Sequence, residues 1–122
     1  MIFKYSEFKK FIIHLKSLGK IFPLGEWDNS NAIILRHDVD YDVQAAYDLA
    51  LIEAEINIRS TYFFQTTCHT YNPSSAINRI KIHQMAKLGF EIGLHFDPTL
   101  YNYNNSNKLI KFVDKEAEIL SS

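Results

Sequence analysis

The sequence predicts an α/β fold in which parallel strands alternate with helices, and three observations predict it. Apolar, β-branched or aromatic runs begin near positions 32, 60 and 90, and one amphipathic segment fills each interval. Intervals of about 30 residues are those of strand-helix-strand units, whose crossover helix brings the strands into parallel pairing. The first and third runs also end in acid and imidazole, as Ile33-Ile34-Leu35-Arg36-His37-Asp38-Val39-Asp40 and Phe90-Glu91-Ile92-Gly93-Leu94-His95-Phe96-Asp97. Open and closed parallel sheets present their chemistry at that carboxyl edge.

Each element has its own signal. A leading helix over 6–19 follows from Ser6 as a possible N-cap, from Phe8, Phe11, Ile12, Leu15 and Leu18 at helical spacing, and from Gly19, able to take a left-handed stop. A turn-rich stretch, Pro23 to Asn31, leads into the first strand, Ala32 to Leu35 with its polar continuation. After Asp42, a predicted N-cap, the stripe Val43, Ala46, Tyr47, Ala50, Leu51 and Ala54 marks a second helix. Ser60 to Gln65 is aromatic and β-branched and reads as a strand. Asn72 and Pro73 predict the start of a third helix bearing Ile77, Ile80, Gln84 and Leu88, with Gly89 at its exit. A third strand, Phe90 to Phe96, and an Asn/Tyr-rich loop over 98–107 precede a fourth helix carrying Leu109, Phe112, Val113, Ala117 and Leu120.

With 122 residues, 47% of them hydrophobic, the chain has material for one core, so a single domain over 1–122 is expected. Thirteen basic and fourteen acidic side chains leave a formal net charge of −1, which gives no concentrated cationic surface for nucleic acid or an anionic membrane. Lys9, Lys10, Lys16 and Lys20 are spread through an amphipathic segment, as a solvated helix face would have them. Phe11-Ile12-Ile13 is broken by charge on both sides, so neither a signal peptide nor a spanning helix is expected. The single cysteine, Cys68, excludes an intrachain disulfide and suits a reducing compartment, so a cytoplasmic location is expected. Beside His69 it invites a thiolate reading, but the rest of a nucleophilic arrangement is missing, and a small buried side chain is the simpler account.

Alternation along a strand puts Arg36, Asp38 and Asp40 on one face and Leu35, His37 and Val39 on the other. The same parity groups Glu91, Gly93, His95 and Asp97, and leaves Ile92, Leu94 and Phe96 to pack against helices. His14, His37 and His83 read as surface or helix-facing histidines. Polar groups gathered at neighbouring strand ends converge on one cavity, which Thr67 and His69 beyond the second strand could border. Carboxylate with imidazole suits zinc, with nickel, cobalt or manganese also acceptable, and Asp40 and His95 are the expected ligands. A third ligand is expected from Asp97, Thr99 or His69, which spacing alone does not separate. Asp38 beside such a cation is the expected base for metal-assisted hydrolysis.

At these residues the chain resembles the polysaccharide deacetylase family, the NodB-homology or carbohydrate esterase 4 group, over about positions 32–120. Arg36-His37-Asp38-Val39-Asp40 looks like a spaced Asp-Val-Asp form of its first motif. His95 matches the first histidine of its second motif, and Thr99 stands where the second histidine would be. Arg59-Ser60-Thr61-Tyr62-Phe63-Phe64 and Gly89 to His95 are similar to its supporting segments. The resemblance implies a distorted (β/α) barrel, a divalent metal and hydrolytic removal of acetyl from an N-acetylated sugar. By position it gives Asp38 as base and Asp40 and His95 as ligands, and leaves the third ligand open.

The family's later motifs carry an Arg and a general-acid His, and the chain ends at Ser122 before them. The expectation is therefore a shortened, amino-terminal portion of that barrel, whose open sheet edges favour self-association. The competing expectation is a non-catalytic remnant that keeps carbohydrate or metal binding. Aspartyl phosphotransfer and nucleotide-metal glycosyl transfer leave His95 unexplained. A calcium loop is excluded because Val43 and Leu49 stand at its glycine and glutamate positions.

Overall fold

The structure, a computed structural model, describes residues 4–102 and 104–122. In chain order it forms α1 (Tyr5–Leu18), β1 (Ile21–Phe22), β2 (Ile33–Ile34), β3 (Arg36–Val39), α2 (Val43–Glu55), β4 (Thr61–Phe64), α3 (Ala76–Lys87), β5 (Glu91–Leu94) and α4 (Ser106–Ser121), with short 3-10 turns at Leu24–Glu26 and Pro98–Leu100. β3, β4 and β5 make a three-stranded parallel sheet in that order, and β1 pairs in parallel with β2. Helices alternate with the strands, as expected for an α/β chain.

Hydrophobic burial explains the central position of β4. Tyr62 and Phe64 are fully buried and join Val39, Val43, Ala46, Ala50, Ile82, Met85 and Phe90 in the core between the sheet, α2 and α3. α2 starts where expected, because the Asp42 side chain accepts the Gln44 N–H at 2.9 Å. The phenyl ring of Phe96 stacks on Tyr101, 5.8 Å between centroids, and Tyr101 stacks on Phe112 of α4. That series docks the last helix.

Several sequence expectations need correction. α1 begins at Tyr5 with Lys4 as N-cap, so Ser6 lies inside the helix, and Gly19 is extended at φ 173 rather than left-handed. Only Ile12 of α1 is buried, while Phe11 and Leu18 are 54% and 65% exposed, because α2 is the helix's main neighbour. The first strand breaks at Leu35 into β2 and β3, and β1 falls within a stretch too short to show a period. Asn72 closes a turn by accepting the Ser74 N–H, and α3 starts later, after Ser75. α3 also turns a different face inward: Ile82 and Met85 are buried, whereas Ile77 and Ile80 are 67% and 58% exposed. Both stripes of that helix hold isoleucine, so the choice belongs to contact with α2 and β5. Gly89 does take a left-handed conformation, at φ 99, on leaving α3.

Two glutamates are buried, which the apolar periodicity of α2 and α4 did not announce. Glu53 extends the inward stripe of α2 and accepts hydrogen bonds from Ser60 Oγ at 3.0 Å and from the Tyr62 hydroxyl, with His37 Nε2 at 3.0 Å. The His37 ring stacks on Tyr62 with centroids 4.3 Å apart, which is why it faces the helix side of β3. Glu116 on α4 accepts from Thr66 Oγ1 at 2.6 Å and from the Tyr101 hydroxyl. Among the described residues every buried side-chain nitrogen and oxygen has a partner, so these carboxylates are compensated as burial requires.

Removing one donor from Glu53 leaves a buried carboxylate short of a partner. Tyr62→Phe is expected to lower the unfolding free energy by about 1–3 kcal/mol in urea titrations, whereas Tyr41→Phe, at a ring 78% exposed, leaves it unchanged. Burial, reinforced by the Glu53 charge, pushes the Tyr62 phenol far above the ordinary tyrosine range, and burial does the same for Tyr71. The hydrogen bond to Glu116 pushes Tyr101 up to about 12. Folded-state values raised in this way contribute stability that is complete below the unfolded tyrosine value and is lost as pH rises above it. Alkaline titration at 295 nm should therefore show the phenolates of Tyr62 and Tyr71 only with alkaline unfolding and that of Tyr101 after the ordinary tyrosine step; an early phenolate step unchanged in size by Tyr101→Phe is the expected control.

Candidate active-site edge

Parallel register arranges the inner sheet face in rows. Arg36 lies beside Thr61 and Thr61 beside Glu91; one row on, Asp38 lies beside Phe63 and Phe63 beside Gly93. Continuing by two residues places Asp40, Gln65 and His95 in one row just past the strand ends. Neighbouring strands lie about 4.8 Å apart, so the outer members of a row are bridged by the side chain between them.

The first row is closed off. Leu24 N–H donates to Thr61 Oγ1 at 2.8 Å, Gly25 N–H donates to Glu91 Oε2 at 2.9 Å, and Thr61 Oγ1 donates to Glu91 Oε1 at 3.0 Å. A Cβ on Gly25 would stand 2.2 Å from Glu91 Oε2, so any side chain there would displace the Glu91 carboxylate from this contact. The Leu24–Glu26 turn thus stops the amino end of the sheet face, and Glu91 is a structural clamp there.

The middle row is filled by an aromatic ring. Phe63 lies over Gly93, where a Cβ would come within 2.5 Å of the ring, and the Arg36 guanidinium lies 4.4 Å from the ring centroid on the β3 side. Arg36 Nε in turn donates to Asp38 Oδ1 at 2.7 Å. The stacked guanidinium therefore orients the Asp38 carboxylate, whose side chain remains 39% exposed.

The last row holds the predicted ligands. Asp40 Oδ1 and His95 Nδ1 are 3.3 Å apart. Gln65 Nε2 donates to Asp40 Oδ1 at 2.8 Å and sits 3.3 Å from His95 Nδ1. Backbone bonds hold the row in place: Thr70 Oγ1 donates to Asp40 O at 2.6 Å, and the Tyr71 hydroxyl donates to Val39 O at 2.6 Å while accepting Gln65 N–H at 2.7 Å. The loop after β4 thereby ties the ends of β3 and β4 together.

Asp40 and His95 are brought together, and Asp38 lines the same cleft of about 340 Å³ as Asp40 and Asp42, along the edge of β3. Asp97 and Thr99 bind each other instead: Thr99 Oγ1 and N–H both donate to Asp97 Oδ1, at 2.6 and 2.9 Å, starting the Pro98–Leu100 turn. The Thr99 hydroxyl, then its N–H, hold the Asp97 carboxyl below its usual value. His69 and Thr67 are exposed in the loop beyond β4. Among the described residues no third His, Cys, Asp or Glu joins Asp40 and His95 in a cation-sized group.

Sequence reading missed Gln65, Arg36 as the partner of Asp38, and the Thr70–Tyr71 clasp. Strand parity carried a signal for Gln65, since Thr61, Phe63 and Gln65 alternate with the buried Tyr62 and Phe64; nothing local marked Thr70 or Tyr71. In kind, the donor set fits a divalent cation, because a carboxylate oxygen and an imidazole nitrogen face each other 3.3 Å apart with one amide nitrogen within reach of both. Chemically the edge can hold a cation or a polar ligand between β3 and β5, with an oriented carboxylate one row away. Comparison of the chain with protein families, curated proteins and solved structures found no match in any of the three.

Proposed function

We propose that this edge is the centre of a metal-dependent hydrolase resembling polysaccharide N-deacetylases, acting on an N-acetylated sugar. The observation that carries the reading is the 3.3 Å approach of Asp40 Oδ1 to His95 Nδ1 from two strands separated by β4. Asp40 and His95 would hold a divalent cation, zinc in first place with nickel, cobalt or manganese as alternatives. When bound, the cation supplies charge that polarises the acetamide carbonyl and acidifies an attacking water. Asp38, oriented by Arg36 through Oδ1, offers its other oxygen to accept the water's proton.

The same reading takes β3, β4 and β5 with α2, α3 and α4 as opening units of a distorted (β/α) barrel in a reducing, cytoplasmic setting. In support stand the parallel order of the three strands and the single half-buried cysteine, Cys68. No helix among the described residues is long and apolar enough to cross a membrane. A specific observation favours a second reading, a non-catalytic relative that binds a sugar or cation without turnover: among the described residues the acidic and imidazole ligands that meet number two.

Calorimetric zinc titration, paired with acetate release from N-acetylated oligosaccharides, separates these readings. The expected result is zinc binding that Asp40→Ala abolishes, and acetate release that Asp38→Asn lowers by about 10²–10⁴-fold with zinc affinity retained. Zinc binding without acetate release selects the non-catalytic reading in its cation-binding form; no zinc binding by the unaltered chain overturns the hydrolase reading and leaves only the sugar-binding form of the second. β3 and β5 are the terminal strands of their sheet, so sedimentation velocity should show mass rising with concentration through strand-edge pairing. A single monomer peak with two-state melting would contradict that association.

A further inference from the structure

The cation reading above leaves one protein ligand to find, and the row geometry supplies a candidate outside the His/Cys/Asp/Glu set. Gln65 is the middle member of the row, half-buried, and its carboxamide already touches both proposed ligands, at 2.8 and 3.3 Å. Its backbone N–H is bound by the Tyr71 hydroxyl at 2.7 Å, and Tyr71 also holds Val39 O, so the side chain starts from an anchored base. In the described arrangement the amide nitrogen stands where a cation would, between a carboxylate oxygen and an imidazole nitrogen, and with His95 in the tautomer that leaves Nδ1 unprotonated its two hydrogens face two electron-pair donors. Rotating the carboxamide by 180° exchanges Nε2 for Oε1, turning the donor of that row into an acceptor with two lone pairs.

We infer that Gln65 is the third protein ligand of this site, binding the cation through Oε1 when it is loaded and bridging Asp40 to His95 through Nε2 when it is not. The inference rests on the metal reading of the preceding subsection. It has a chemical consequence: one imidazole nitrogen with two oxygens is a harder donor set than two imidazoles with a carboxylate, so it accommodates manganese and cobalt better relative to zinc.

The test is cation binding by the full chain, measured by calorimetry with zinc and by the visible absorption of cobalt, with melting temperature as the check on folding. Gln65→Leu removes the oxygen and keeps similar volume; it is expected to weaken zinc binding by about 10-fold or more and to change the cobalt spectrum. Gln65→Glu supplies a permanent anionic oxygen: it is expected to tighten binding of both ions, while lowering the melting temperature in chelator because three acceptors then face one another. Unchanged zinc affinity and cobalt spectrum in a folded Gln65→Leu, or no gain in affinity in Gln65→Glu, overturns the assignment of Gln65 alone. Failure of the unaltered chain to bind either ion overturns the metal reading itself, and this inference with it.

Discussion

In-register parallel pairing of β3, β4 and β5 is the constraint on which the rest of the molecule depends. Pairing Arg36 with Thr61 and Thr61 with Glu91 sets every later row, so Asp38 must neighbour Phe63 and Asp40 must neighbour Gln65. A slip of one residue in either pair would exchange the two faces. His37 and Tyr62 would then leave the helix side, and Asp40 and His95 would no longer share an edge. One set of backbone hydrogen bonds thus decides both where the core lies and which polar side chains meet.

The two sheet faces are stabilised by different chemistry. On the helix side, apolar burial from Tyr62, Phe64, Ile82, Met85 and the small residues of α2 supplies most of the driving force. That side nonetheless encloses the carboxylate of Glu53, held by Ser60, Tyr62 and His37. Such a network adds little net stability over an apolar replacement, but it is intolerant of losing a single member. Glu116 has the corresponding role for α4, which Thr66 and Tyr101 attach to the carboxyl side of the sheet.

The opposite face is graded along its length. The Leu24–Glu26 turn closes the amino end, the Phe63 ring fills the middle against Gly93, and polar side chains emerge only at the carboxyl end. Arg36 links two of these levels by stacking on Phe63 while holding Asp38. The carboxylates at this edge are consequently oriented by protein neighbours, Asp38 by Arg36 and Asp40 by Gln65. A half-exposed position keeps the edge accessible along β3.

Much of this was legible in the chain. The spacing of apolar runs determined an α/β alternation, Asp42 announced the start of α2, and strand parity separated His37 from Asp38 and placed Asp40 and His95 on one face. These are local properties, written in periods of two and near four residues that a linear reading can see. What the sequence left undecided depends on contacts distant along the chain. The inward face of α3 was set by α2 and β5, since either isoleucine stripe satisfies the helical period. The burial of Glu53 and Glu116 depends on hydroxyls from other elements, Tyr62 and Ser60 in one case, Thr66 and Tyr101 in the other. The pairing of Asp97 with Thr99 rather than with His95, and the insertion of Gln65 between Asp40 and His95, follow from turn geometry and register at once. Sequence determined which groups reach the edge; only the packed sheet decided which of them touch, because side-chain partners across strands are set by register and not by local pattern.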